Sequence, residues 1–320
     1  MGILFLLTMS ASVLHASPAS PERWYFTHFT TEDGLAFNSV TSITQDSNGF
    51  VWFATEDGLS RYDGRDFKNF TKDDLGIDTD FITALCADGS GNLWVGSDNG
   101  ASRYDFVSDS FVPLDAVSDK GTEVRGKVTH ICMDDGGLVW MSVNGLGLFS
   151  YDPVTDRLRN FFCENGRTTL PFNIRTFVID GNGDFWLSLY FADIWYSDSS
   201  LQKAERVKIV GWKENDDIVS MDRNGQGRII LASWKNGLGE FDCKKRSFRS
   251  YLNYGSGQRP KGMYYDRNNR RIWSATTRGL CLYDLATGET ARLSSNVQDD
   301  FSLSGDNITA VFTDATGGLW

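Results

Sequence analysis

A seven-residue segment that opens on Asp and closes on Trp recurs along the chain, and this repetition constrains the fold more than any other feature. Residues 46–52 (DSNGFVW) return at 88–94 (DGSGNLW), 134–140 (DDGGLVW), 180–186 (DGNGDFW) and 314–320 (DATGGLW). Degenerate copies lie at 224–230 (NGQGRII), where Ile230 replaces Trp, and at 267–273 (RNNRRIW), where the glycine is lost. The Trp-equivalent positions 52, 94, 140, 186, 230, 273 and 320 are separated by 42, 46, 46, 44, 43 and 47 residues. A period near 45 suits one four-stranded propeller blade per repeat.

Each unit parses into strands by its chemistry. The run before each Asp (VTSITQ, FITALCA, VTHICM) is apolar or small on both faces, as an inner strand packed between neighbours must be. The Asp-x-x-Gly stretch predicts a turn, because the carboxylate can hold the backbone two residues on. A Trp-centred strand follows, then a glycine turn, then a third strand ending in an aromatic, and finally a more polar strand suited to an outer edge. The reading is all-β: a seven-bladed propeller of four-stranded blades over 20–320, with blades opening near 38, 80, 127, 173, 216, 260 and 306 and the last one truncated. Residues 24–30 resemble a fourth strand (FTHFT against FKNFT) with no blade before it, and are expected to close the ring. Residues 3–16 form an apolar run followed by small and turn-forming residues, so 1–19 read as a secretory signal peptide.

Composition narrows the function. At 41% hydrophobic and 23% charged, the chain can bury a large core. Its net charge of −11, with no basic run, argues against tracking nucleic-acid phosphates. Five dispersed cysteines (86, 132, 163, 243 and 281) without a C-x-x-C pair read as free thiols. Three histidines lack acidic or cysteine partners at ligand spacing, so no metal site is expected. The recurrent aspartates read as turn residues, since an acid–base pair needs two unlike environments in one cleft. The DGNGD stretch at 180–184 has Phe191 where a calcium loop needs its bidentate Glu. No nucleophile elbow or phosphate-binding glycine motif occurs, so no catalytic residue and no cofactor are assigned.

The unit NSVTSITQDSNGFVWFATEDGLSRYDG, followed by an F-x-x-F strand, resembles the two-component regulator propeller repeat. That resemblance implies the periplasmic sensor region of a hybrid histidine kinase of Bacteroidetes, which feeds a phosphorelay and regulates transcription. It also implies an oligosaccharide ligand released from a complex glycan, a second propeller and a β-sandwich in the same chain, a downstream span in the inner membrane and a homodimer. The alternatives kept open are a secreted propeller-type hydrolase or lyase acting on glycans, and a protein-docking scaffold.

On a repetitive scaffold the irregular loops carry function. The turns between second and third strands and the blade-to-blade connections should open on one face of the ring. There blade four offers Tyr190, Phe191 and Asp193, blade five Trp234, Lys235 and Asn236, and blade six Arg278, with Arg259 and Lys261 on the connection between the last two. Aromatics beside amide, carboxylate and basic groups suit an acidic or hydroxyl-rich saccharide.

Overall fold

The structure, a computed structural model, describes residues 24–88, 91–161, 171 and 173–320. The expected signal segment and Cys163 lie outside them. Six of the seven repeats become antiparallel four-stranded meanders, blade one for example running Val40–Gln45, Val51–Thr55, Gly58–Tyr62 and Phe67–Phe70. The inner strands of the next five blades are Ile82–Ala87, Val128–Met133, Ile174–Ile179, Ile218–Arg223 and Pro260–Asp266. Every second strand is buried nearly throughout, because it has neighbours on both edges and blades on both faces.

Among the described residues the propeller has six such blades, which corrects the expectation of seven. The last repeat copy is not a truncated blade. Its two arms meet at the bridge Thr313–Leu319, the reciprocal Phe312–Trp320 backbone bonds of 3.1 and 2.8 Å and the Asp314–Gly318 turn bond of 2.9 Å, and form no strand pair. Two short arms bury too little of their own surface to stand as a sheet. They lean instead on their neighbours: Ile308 N–H donates to the Thr276 carbonyl of blade six at 2.9 Å, and Thr309 Oγ1 donates to the Val40 carbonyl of blade one at 2.6 Å.

Residues 24–30 form no ladder. Phe26 N–H donates to the Phe301 carbonyl at 2.9 Å, Trp24 packs edge-on against Trp273, and Phe29 sits among Tyr62, Phe67 and Trp320. The segment therefore joins blade six to blade one through side-chain packing.

The Asp-x-x-Gly-x-x-Trp signature is one hydrogen-bonded device. In each intact copy one carboxylate oxygen caps turn amides, as Asp134 Oδ1 does for Gly136 and Leu138 at 2.9 and 3.0 Å. The other oxygen accepts the indole N–H six residues on: 2.5 Å for Asp46–Trp52, 3.3 Å for Asp88–Trp94, 2.7 Å for Asp134–Trp140, 3.0 Å for Asp180–Trp186 and 2.7 Å for Asp314–Trp320. The bond lets a polar ring edge be buried without losing its partner. Trp52, Trp94, Trp140, Trp186 and Trp273 are at most 7% exposed and fill the seams between blades, as the sequence predicts. The core is thus a series of inter-blade clusters, Trp52 with Phe70, Tyr104 and Phe111 being the most aromatic. In the degenerate sixth copy Asp266 replaces the missing lead residue, its oxygens holding the Asn269 backbone and side-chain amides at 3.0 and 2.8 Å.

A second device links the inner strands. Each carries a bulge at its second residue. In blades one to three that residue is Thr41, Thr83 or Thr129, and its hydroxyl donates to the next blade's carbonyl (Ile82, Val128 and Ile174) at 2.6, 2.6 and 2.8 Å. Thr309 makes the same bond to Val40, so the clasp also spans the ends of the ring.

Candidate functional site

The inner strands surround an axial cavity of about 1020 Å³. Its two ends differ in charge. All four carboxylates that line it, Asp134, Asp135, Asp180 and Asp222, stand at the far ends of inner strands or in the turns after them. At that end Arg223 of blade five pairs bidentately with Asp135 of blade three at 2.6 and 3.2 Å, a bar that reaches past blade four. Burial raises the Asp222 carboxyl above its usual range despite the Arg267 guanidinium bonded to it.

The opposite end, where inner strands begin, is lined by Lys127, Arg175 and Lys261. Arg175 and Lys261 occupy the bulge position that is Thr in blades one to three. The clasp is accordingly absent there, and the side chains are cationic. Arg175 Nη1 donates to Asp217 at 2.5 Å while its guanidinium lies over the Tyr190 ring at 5.2 Å. Lys127 lies 3.7 Å from Asp98. Among the described residues no ion pair reaches Lys261. Arg175 and Lys127 were not legible as site residues from loop reasoning, but aligning the second residue of each inner strand would have exposed Arg175.

Of the residues expected on this face, one group does come together. Phe191, 57% exposed and with φ 55°, meets Trp234 edge to face at 5.5 Å, and the Arg259 guanidinium lies over the same indole at 4.4 Å. Tyr190 and Lys261 line the cavity beside them, and Arg278 is exposed near Ser256. Lys235 is tethered, its ammonium donating to the Glu214 and Asn215 carbonyls at 3.1 and 2.7 Å. Beneath the tether, a smaller cavity of about 260 Å³ is lined by Lys213, Trp234, Lys235 and Tyr254.

Asp193 and Asn236 instead hold the loops from within. Asp193 is 1% exposed and accepts from Asp216 N and Trp212 Nε1 at 2.9 Å each, from Asn215 N at 3.1 Å and from Arg206 at 2.5 Å. Burial pushes its carboxyl up, but those donors outweigh it and hold the group below the usual carboxylate range. Asn236, 6% exposed, bonds both the backbone N–H and C=O of Lys213 and the Asp216 carboxylate.

His130 also faces the cavity; burial lowers its pKa to about 4, so the ring is neutral at pH 7. Cys86, Cys132, Cys243 and Cys281 are free thiols, and burial raises Cys86 to about 11 and Cys132 well above its ordinary value, which leaves neither nucleophilic. Among the described residues no cluster of His, Cys, Asp or Glu could hold a metal ion, and no helix is long and apolar enough to cross a membrane.

Fold and repeat together define a β-propeller built on an Asp–Trp blade signature. Residues 34–57 and 76–99, in blades one and two, match the family described as two component regulator propeller, and the chain carries that repeat. Over 50 residues, 16% of this chain, it is 44% identical to Histidine kinase P4 of Formosa agariphila, of which the match covers 4%. The extracellular domain of a hybrid two component system of B. thetaiotaomicron shares the fold, at 21% identity and a TM-score of 0.79 over 93% of this chain and 40% of that one. Virginiamycin B lyase of Staphylococcus aureus has the same fold at 11% identity, with a TM-score of 0.66 over 86% and 89% of the two chains. The chain thus spans less than half the length of that extracellular domain and a small part of that histidine kinase.

Proposed function

We propose that this propeller is a non-enzymatic sensor segment of a hybrid two-component system, recognising a glycan-derived oligosaccharide outside the cytoplasm and signalling to a histidine kinase that controls transcription. The observation that carries the reading is the two-component regulator repeat in blades one and two. The Phe191–Trp234–Arg259 group beside the cavity mouth, with Phe191 and Arg259 exposed and Trp234 half-buried, supplies what a saccharide needs, aromatic surface with a guanidinium donor beside it. In this reading the segment is periplasmic, belongs to a protein anchored in the inner membrane, and works beside a second propeller and a β-sandwich in a homodimer.

The test is an oligosaccharide array probed with the protein and with Trp234→Ala. Retention of a defined glycan, weakened about tenfold by the substitution, is the expected result. Release of shortened or unsaturated sugar products would favour the lyase-like reading instead, and retention of no glycan would contradict saccharide sensing.

A further inference from the structure

We infer that the strand-start mouth of the axial cavity is an oxyanion site, with Lys261 as its unpaired cation and Arg175 as its positioned one, so that the ligand carries a carboxylate or sulfate group. The inference deepens the glycan reading and rests on it for the saccharide that bears the anion.

The argument begins with the bulge position. A short hydroxyl there is all the scaffold requires, since Thr41, Thr83, Thr129 and Thr309 each clasp the next strand at 2.6 to 2.8 Å. Lys261 forgoes that bond, lines the cavity with an exposed side chain, and forms no ion pair among the described residues. The strand does not need the charge for stability, since a Thr there would supply the clasp seen in other blades. Arg175 keeps an inter-blade role through Asp217, yet only one of its nitrogens is used there, and Tyr190 holds the guanidinium plane. Its remaining donors form the planar fork suited to an oxyanion.

Val219 occupies the same bulge position in blade five, between these two, and adds an apolar wall 9% exposed. The carboxylates lining the cavity all lie at its other end, so an anion entering the mouth meets cations first. This local sign opposes the net charge of −11, which a general surface attraction would not produce.

The decisive variant is Lys261→Thr, which restores the residue found at this position in other blades and so protects folding. NMR titrations of the protein with glucuronate, galactose 6-sulfate and neutral galactose distinguish the two anion sources from the sugar itself. Glucuronate or the sulfated sugar, but not galactose, should shift resonances of the residues at the mouth. Lys261→Thr should weaken that binding about tenfold, and Lys261→Arg should retain it. Equal response to galactose, no response to either anion up to 50 mM, or an unchanged affinity in Lys261→Thr would overturn the site; the 50 mM ceiling is on the order of the weakest single-group binding. A neutral glycan retained on the array would leave glycan sensing standing while this site failed. Anion binding without any retained glycan would do the reverse.

Discussion

Asp46 accepts the indole N–H of Trp52 at 2.5 Å while its other oxygen caps the amides of Asn48 and Phe50 at 2.8 and 3.1 Å. One 6% exposed carboxylate thus ties a turn to the ring that fills the seam between blades one and two. Asp46→Ala strands three donors, two of them on backbone, and should cost about 3 kcal/mol in urea unfolding. Asp46→Asn retains one acceptor but turns an N–H toward a donor, and should cost about 2 kcal/mol. A loss of under about 1 kcal/mol in Asp46→Ala would show that the carboxylate is not the organiser of the blade.

His130 gives a pH dependence of defined sign. Its folded pKa of about 4 lies below the ordinary value of 6.5, so the unfolded chain takes up the proton more readily. The stability it permits is complete above pH 6.5, declines as pH falls toward 4 and levels off below that. The decline is about 3 kcal/mol as an upper limit, reduced because the ring lines an accessible cavity. His130→Gln should flatten this part of the unfolding free energy against pH. An unaltered slope would place the titration elsewhere.

Two turn glycines should respond unequally to alanine. Gly279 has φ 93° and an added Cβ would overlap the Leu293 carbonyl oxygen, whereas Gly145, at φ 78°, has open space around the same position. Gly145→Ala should cost only the left-handed penalty of about 1–2 kcal/mol. Gly279→Ala should cost distinctly more and lower the thermal midpoint further, because backbone must move to admit it. Equal midpoints would contradict the close approach.

Asp193 and Asn236 looked from the sequence like ligand groups, because polar residues in loops on a repetitive scaffold are the usual carriers of specificity. Their side chains turn inward to satisfy loop amides, a choice set by the φ of 60° at Asp193 and by Trp212 and Arg206, which arrive from elsewhere in the chain. Asp193→Asn should therefore cost about 3 kcal/mol of stability, since it leaves the Arg206 partner and buried donors poorly matched. Loss of saccharide binding with stability unchanged would restore it to the binding surface.

The blade architecture was legible because the Asp-to-Trp spacing is a hydrogen-bonded ring closure within each repeat, and every intact copy has to keep it. The blade number was not. A copy of the motif at 314–320 guarantees one Asp–Trp device, as the 2.7 Å bond shows, but a blade needs the strands on either side as well. The cations of the mouth were half legible: Lys261 was reached only because the sequence was read as a connection there, although it stands in the inner strand Pro260–Asp266, whereas Arg175 emerges only when its register is set against the Thr clasps.

Hydrogen–deuterium exchange of the protein with and without the saccharide retained on the array tests the central claim most directly. The account predicts new protection confined to residues 190–193 and 234–237 and to the starts of the inner strands of blades four and six, with the Asp-x-x-Gly turns at the other end unaffected. Protection concentrated on those turns, around Asp135 and Asp180, would put the ligand on the opposite face and contradict it.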